Sequence, residues 1–205
     1  MNILLFPWKS TCKSLRLLDL SSNGIGDCGA ELSKILLKFP NLEELRLARN
    51  KLSDVTFENL DLSKLLCLNI SQNLHIGSMG LENIRYCLRD APMLHTLDAA
   101  QITTSADIFT PFTKLFTEIS VQDIKNVKIC KNNIQNEHIL DNLDELCLFS
   151  QIANLNLSHN RAINRDTVSK ILEKIESLKE ITLHGTAVSD TDHFEQQFCN
   201  KITLK

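Results

Sequence analysis

No run of apolar residues in this chain approaches the roughly 18 that a membrane-spanning helix needs. The start, MNILLFPWKS, also lacks the basic head and small-residue cleavage site of a secretory leader. Neither sign of charge dominates: 22 Lys and Arg face 25 Asp and Glu, a net charge of −3. That balance argues against a module that tracks nucleic-acid phosphates, which needs a basic excess. Gly and Pro number only 6 and 4, and aromatics make up 5% of 205 residues. Seven Cys are scattered, odd in number and never spaced as CxxC. They read as reduced thiols serving as small core residues in a reducing compartment. What the chain has instead is Leu, 34 of them, and Asn, 18 of them, with 43% hydrophobic residues in all. Disorder is excluded by that apolar content, and the Leu–Asn bias points to a repeat.

Self-comparison finds it. Leu15, Leu18, Leu20 and Asn23 stand at offsets 0, 3, 5 and 8. The same offsets recur at Leu42, Leu45, Leu47 and Asn50; at Leu65, Leu68, Ile70 and Asn73; at Ile124, Val127, Ile129 and Asn132; and at Ile152, Leu155, Leu157 and Asn160. Two further units are degraded: Leu94 and Leu97 are followed by Ala99 and Ile102, and Leu178, Ile181 and Leu183 by Thr186. Repeat starts therefore fall near 15, 42, 65, 94, 124, 152 and 178. This is the leucine-rich repeat pattern. Within a unit the apolar positions alternate with polar ones, giving a short strand of period two. The Asn turns the chain inward, and its amide is suited to backbone groups that the turn leaves unpaired. After the turn the period becomes helical, as in Ile25, Cys28, Leu32, Ile35, Leu36 and Phe39, and again in Val168, Ile171, Leu172 and Ile175.

The expected architecture is α/β: one curved solenoid of about seven repeats over 1–205, with a parallel β-sheet on the concave face and helices on the convex face, as in the ribonuclease-inhibitor-like class. The unit starting at 42 is short and leaves room for only one helical turn at 55–60. The stretch 103–123 fits the repeat poorly and reads as an irregular outer segment. Both ends look cut, so the chain reads as a piece of a longer protein, with a partial strand near 202–204.

The side chains beside the strand leucines are expected on the concave face, where a partner would dock. A central column holds Asp19, Arg46, Asn69, Asp98, Lys128, Asn156 and Thr182. A flanking column ends in Ser158 and His184, and the next position carries Arg49, Lys131 and His159. Arg46 and Arg49 are expected on one strand, and Lys128 and Lys131 on another three strands away. That is about 14 Å at the usual spacing, and the two basic spots suit an acidic segment of a partner. Catalytic constellations are missing from the sequence: no HExxH, no phosphate-binding glycine loop, no Ser, His and Asp set. The six His read as exposed polar surface, though His159 and His184 occupy adjacent repeats. No enzyme activity, metal, cofactor, small-molecule substrate, membrane or direct nucleic-acid contact is expected. The partner is expected to be a protein.

One family carries a closer likeness. CKSLRLLDLSSNGIGDCGAELSKILLKFPNLEELRL (12–47) resembles a repeat pair in the carboxy-terminal leucine-rich region of Tonsoku-like proteins. IANLNLSHNRAINRDTVSKILEKIESLKEITLHGTAVSD (152–190) is similar to a later pair there, and TTSADIFTPFTKLFTE (103–118) to the insertion between them. The compressed unit at 42–64 departs from that pattern. The resemblance implies a nuclear, non-enzymatic scaffold at damaged or stalled replication forks that pairs with a recombination factor. It transfers no catalytic residue, and that family's histone-reading region lies outside the matched segment. The other class open to a leucine-rich repeat chain is a cytoplasmic adaptor of the GTPase-activating or F-box type. No F-box helix set is present.

Overall fold

A computed structural model describes residues 10–58, 60–103, 107–118, 123–149 and 151–188. The expected partial strand near 202–204 lies outside them, as do Cys199 and His193. Seven three-residue strands follow the seven repeat starts: β1 (Leu17–Asp19), β2 (Glu44–Arg46), β3 (Cys67–Asn69), β4 (Thr96–Asp98), β5 (Asn126–Lys128), β6 (Asn154–Asn156) and β7 (Glu180–Thr182). They form one sheet in strict chain order, and every neighbouring pair is parallel. The chain is a leucine-rich repeat solenoid.

The returning segments carry the helices: α1 (Gly29–Leu36), α2 (Ser78–Leu88), α3 (Phe109–Glu118), α4 (Asn136–Leu140), α5 (Leu143–Leu146) and α6 (Arg165–Lys174). The second repeat has only a 3₁₀ turn, Asp54–Phe57, as its short length requires. Two glycines let its neighbours close on that turn. A Cβ on Gly29 of α1 would stand 2.5 Å from the Thr56 carbonyl oxygen, and one on Gly80 of α2 would stand 2.5 Å from Asp54 Oδ1. The expectation of an irregular outer segment over 103–123 is corrected at 109–118, which is helical. Its Phe109 and Phe112 line the same interior cleft as Val127 and Ile129, bulk that the small Ala99 of the fourth repeat does not supply. No described helix is long and apolar enough to cross a membrane.

The middle residue of every strand faces inward. Leu45, Leu68, Leu97, Val127 and Ile181 are at most 1% exposed, and one continuous apolar cluster runs from Leu18 to Leu183. No repeat could bury this face alone.

The asparagines bind the inner edge together. Asn50 Oδ1 accepts the backbone N–H of Asn23 at 2.7 Å, and Asn50 Nδ2 donates to the carbonyls of Leu20 and Leu47. Asn73 serves Asn50 and Leu52 in the same way, and Asn160 serves Asn132 and Ile134. Each Asn therefore holds the turn of the repeat before its own. Ile102 breaks the chain of amides, and among the described residues no side chain accepts the Asn73 N–H. The turn at Ile102 is held by Asn132, whose Oδ1 takes the Ile102 N–H at 2.9 Å.

Candidate functional site

A strand that turns Leu18 inward must turn Leu17 and Asp19 outward, and the same parity applies in every repeat. The observed register aligns Asp19, Arg46, Asn69, Asp98, Lys128, Asn156 and Thr182 side by side across the sheet. The order is acid, base, amide, then acid, base, amide, then hydroxyl. The first five of these residues, Asp19 to Lys128, line an open groove with a volume of about 420 Å³, together with Glu44 and Cys67.

The charges in this column are already matched. Arg46 Nε and Nη2 reach the same Glu44 oxygen at 2.7 and 2.6 Å, and Arg46 Nη1 lies 3.7 Å from Asp19 Oδ2. Lys128 Nζ lies 3.6 Å from Asp98 Oδ2. Glu44 and then Asp19 raise the already high pKa of Arg46. Asp19 is held below the usual carboxylate range chiefly by the Ser21 N–H and hydroxyl, with Arg46 helping. The acids and amides also fold back on their own strand ends. Asp19, Asn69, Asp98 and Asn156 each accept the N–H two residues on, at 2.9, 2.9, 3.2 and 3.0 Å. They close the strand with a side-chain turn.

The placement of Arg49, Lys131 and His159 is corrected. They do not lie on strands, which end at Arg46, Lys128 and Asn156. All three occupy the turn before the Asn, in the left-handed region, with φ of 58°, 58° and 60°. The same station holds Ser22, Gln72, Gln101 and Gly185, again with positive φ. The physical reason is the Asn itself: for its amide to reach the preceding turn, the backbone must swing inward one residue earlier. Each of the first six stations donates its N–H to the next repeat, Arg49 to the Ser71 carbonyl at 3.0 Å and Lys131 to that of Ser158 at 2.9 Å. His159 donates to the His184 carbonyl at 2.7 Å, and the two rings meet edge to face with centroids 5.1 Å apart. Among the described residues no group of three His, Cys, Asp or Glu is placed to hold a metal.

One column was not anticipated. Leu17, Glu44, Cys67, Thr96, Asn126, Asn154 and Glu180 precede the inward leucine and share the concave face. Period two marks them as plainly as the residues after the leucine. They form a row of their own. Asn154 Nδ2 donates to Asn126 Oδ1 at 2.6 Å, Asn126 Nδ2 to Thr96 Oγ1 at 3.2 Å, and Cys67 Sγ lies 3.8 Å from His95 Nδ1. Burial raises the Cys67 thiol above its ordinary range, so this pair is a poor nucleophile at neutral pH. His95 and His138 are half-buried rather than exposed as expected, and no described Cys is fully buried.

No family model and no curated protein matches the chain. Among solved structures it is similar to a chain of the Rad7 and Elc1 complex in yeast. The identity is 12% and the TM-score 0.33, over 93% of this chain and 74% of that one. A likeness that distant adds nothing to the fold read directly from the strands and their register. The described residues form a seven-strand leucine-rich repeat solenoid whose polar concave face is the candidate site.

Proposed function

We propose that this chain is a non-enzymatic scaffold that docks a protein partner on its concave side. The observation that carries the reading is the aligned polar column across seven parallel strands, a broad open surface with fixed side chains. Preorganised polar groups lower the ordering cost of association. The finer proposal is a Tonsoku-like role: a nuclear segment that meets a recombination or replication-fork factor. Its support is the sequence likeness at 12–47, 103–118 and 152–190.

Capture from nuclear extract tests both levels. The full chain and its Arg46→Glu plus Lys128→Glu variant are compared, with circular dichroism confirming equal folding. A defined protein retained by the parent and lost by the variant supports docking, and a replication-fork factor among the losses supports the finer role. If nothing depends on the two charges, the groove floor is not the docking surface, and if the parent chain retains no protein at all, the chain is a spacer. Stimulated GTP hydrolysis by a small GTPase, lost on Arg49→Ala, would replace the scaffold with the GTPase-activating reading.

A further inference from the structure

The sheet and the turn edge differ in what they offer a ligand. On the sheet, Arg46 and Lys128 have carboxylate partners within the chain. On the turn edge, Arg49, Lys51, Lys131 and Arg161 are exposed, and no ion pair joins any of them to a described residue. Acids near that edge are otherwise occupied or set back. Asp27 accepts the Ser53 hydroxyl, and Asp54 accepts the Gly77 N–H at 2.6 Å. Glu137 and Asp166 are exposed but stand in the first turns of α4 and α6, on the helical side.

We infer that this turn edge binds an extended acidic segment of a protein partner. The inference rests on the docking reading and moves the contact from the groove floor to its rim. Backbone hydrogen bonds between successive turns fix the stations that carry Arg49 and Lys131, so little ordering is needed on binding. Repeats two and five lie three strands apart, about 14 Å, and repeat six one strand further, about 19 Å. An extended chain advances about 3.3 Å per residue. The matching segment has two acidic clusters separated by about four to six residues. Between them the edge presents Gln72 and Gln101, uncharged amides suited to a peptide backbone.

The test uses fluorescence anisotropy on the full 205-residue chain. The probe is a fluorescein-labelled peptide with two Asp-Glu pairs separated by about five Gly and Ser residues. The controls are its Asn-Gln counterpart and a single-stranded oligothymidylate of equal charge. The acidic peptide is expected to bind at least about tenfold more tightly than its amide counterpart, with affinity falling as salt rises. Arg49→Gly with Lys131→Gly removes that preference. Glycine fits there, because Gly185 holds the same station with φ 71°. Arg49→Gln with Lys131→Gln repeats the substitution with the residue type of the third and fourth stations, so the result does not hang on one variant's folding. Arg46→Gln with Lys128→Gln should change affinity by about twofold or less. Equal affinity for the acidic and amide peptides overturns the proposal, as does no measurable binding or an unchanged preference in both edge variants. Tighter binding of the oligonucleotide overturns it in favour of a nucleic-acid surface. Loss only in the Arg46 and Lys128 variant overturns it while leaving docking on the sheet intact.

Discussion

The concave sheet and the turn edge are built from residues two or three apart in the same seven repeats, yet they dispose of charge in opposite ways. On the sheet, period two places Glu44 beside Arg46, and the parallel register brings Asp19 next to it. Lys128 meets Asp98 for the same reason. Beyond the strand, each chain turns into the left-handed region and its side chain leaves the row. Arg49 and Lys131 are thereby separated from the acids that neutralise their neighbours. A side chain's availability in this fold depends on its station in the repeat more than on its residue type.

The largest expected effect concerns what holds the edge in place. Asn160 is fully buried and bonds the N–H groups of Asn132 and Ile134 and the carbonyls of Ile129 and Leu157. Asn160→Ala leaves those groups without their partner and should cost about 2–4 kcal/mol in denaturant unfolding. Hydrogen exchange should quicken at Asn132 and Ile134, in the repeat before the substitution. A loss confined to residues 160–163 would show that the ladder runs the other way.

Glycine separates the two stations more finely. Arg46→Gly removes a strand side chain and its pairing with Glu44 and should cost about 1 kcal/mol. Arg49→Gly, at φ 58°, should leave stability within about 0.5 kcal/mol of the parent, as relief of the left-handed strain offsets the extra unfolded-state freedom. Equal costs would erase the distinction. The smallest effect is in acid. Asp19 has a depressed native pKa, so its contribution is present above its unfolded value, near 3.9, and fades as pH falls through the lower native value. Asp19→Asn should therefore be slightly less stable than the parent at pH 6 and indistinguishable at pH 2, by thermal unfolding.

Much of this was legible in the sequence. The offsets 0, 3, 5 and 8 define the strands, their order and the inward leucines, because a parallel solenoid has almost no other way to stack such units. Asp19, Arg46 and Lys128 fall in one column for that reason. Four things were not legible. The column of Glu44, Cys67 and Asn126 obeys the same period but precedes the leucine, where attention to the following residue overlooks it. The approach of Asp19 to Arg46 and of Asp98 to Lys128 depends on the register between strands, which no single repeat contains. The displacement of Arg49, Lys131 and His159 from the strands follows from the reach that Asn50, Asn132 and Asn160 need toward the preceding turn. The helix at 109–118 escaped because α3 belongs to a degraded repeat, where Ala99 and Ile102 weaken the signal on either side of the turn.

The contrast between paired and free charge is most directly read from the arginine side-chain Nε–H signals of the isotopically labelled chain at neutral pH. Arg46 Nε–H, bonded to Glu44 at 2.7 Å, should give a signal that exchanges slowly with water and shifts on Glu44→Gln. Arg49 Nε–H should exchange fast and ignore that substitution. Equal exchange at the two sites, or protection of Arg49 rather than Arg46, would contradict the account.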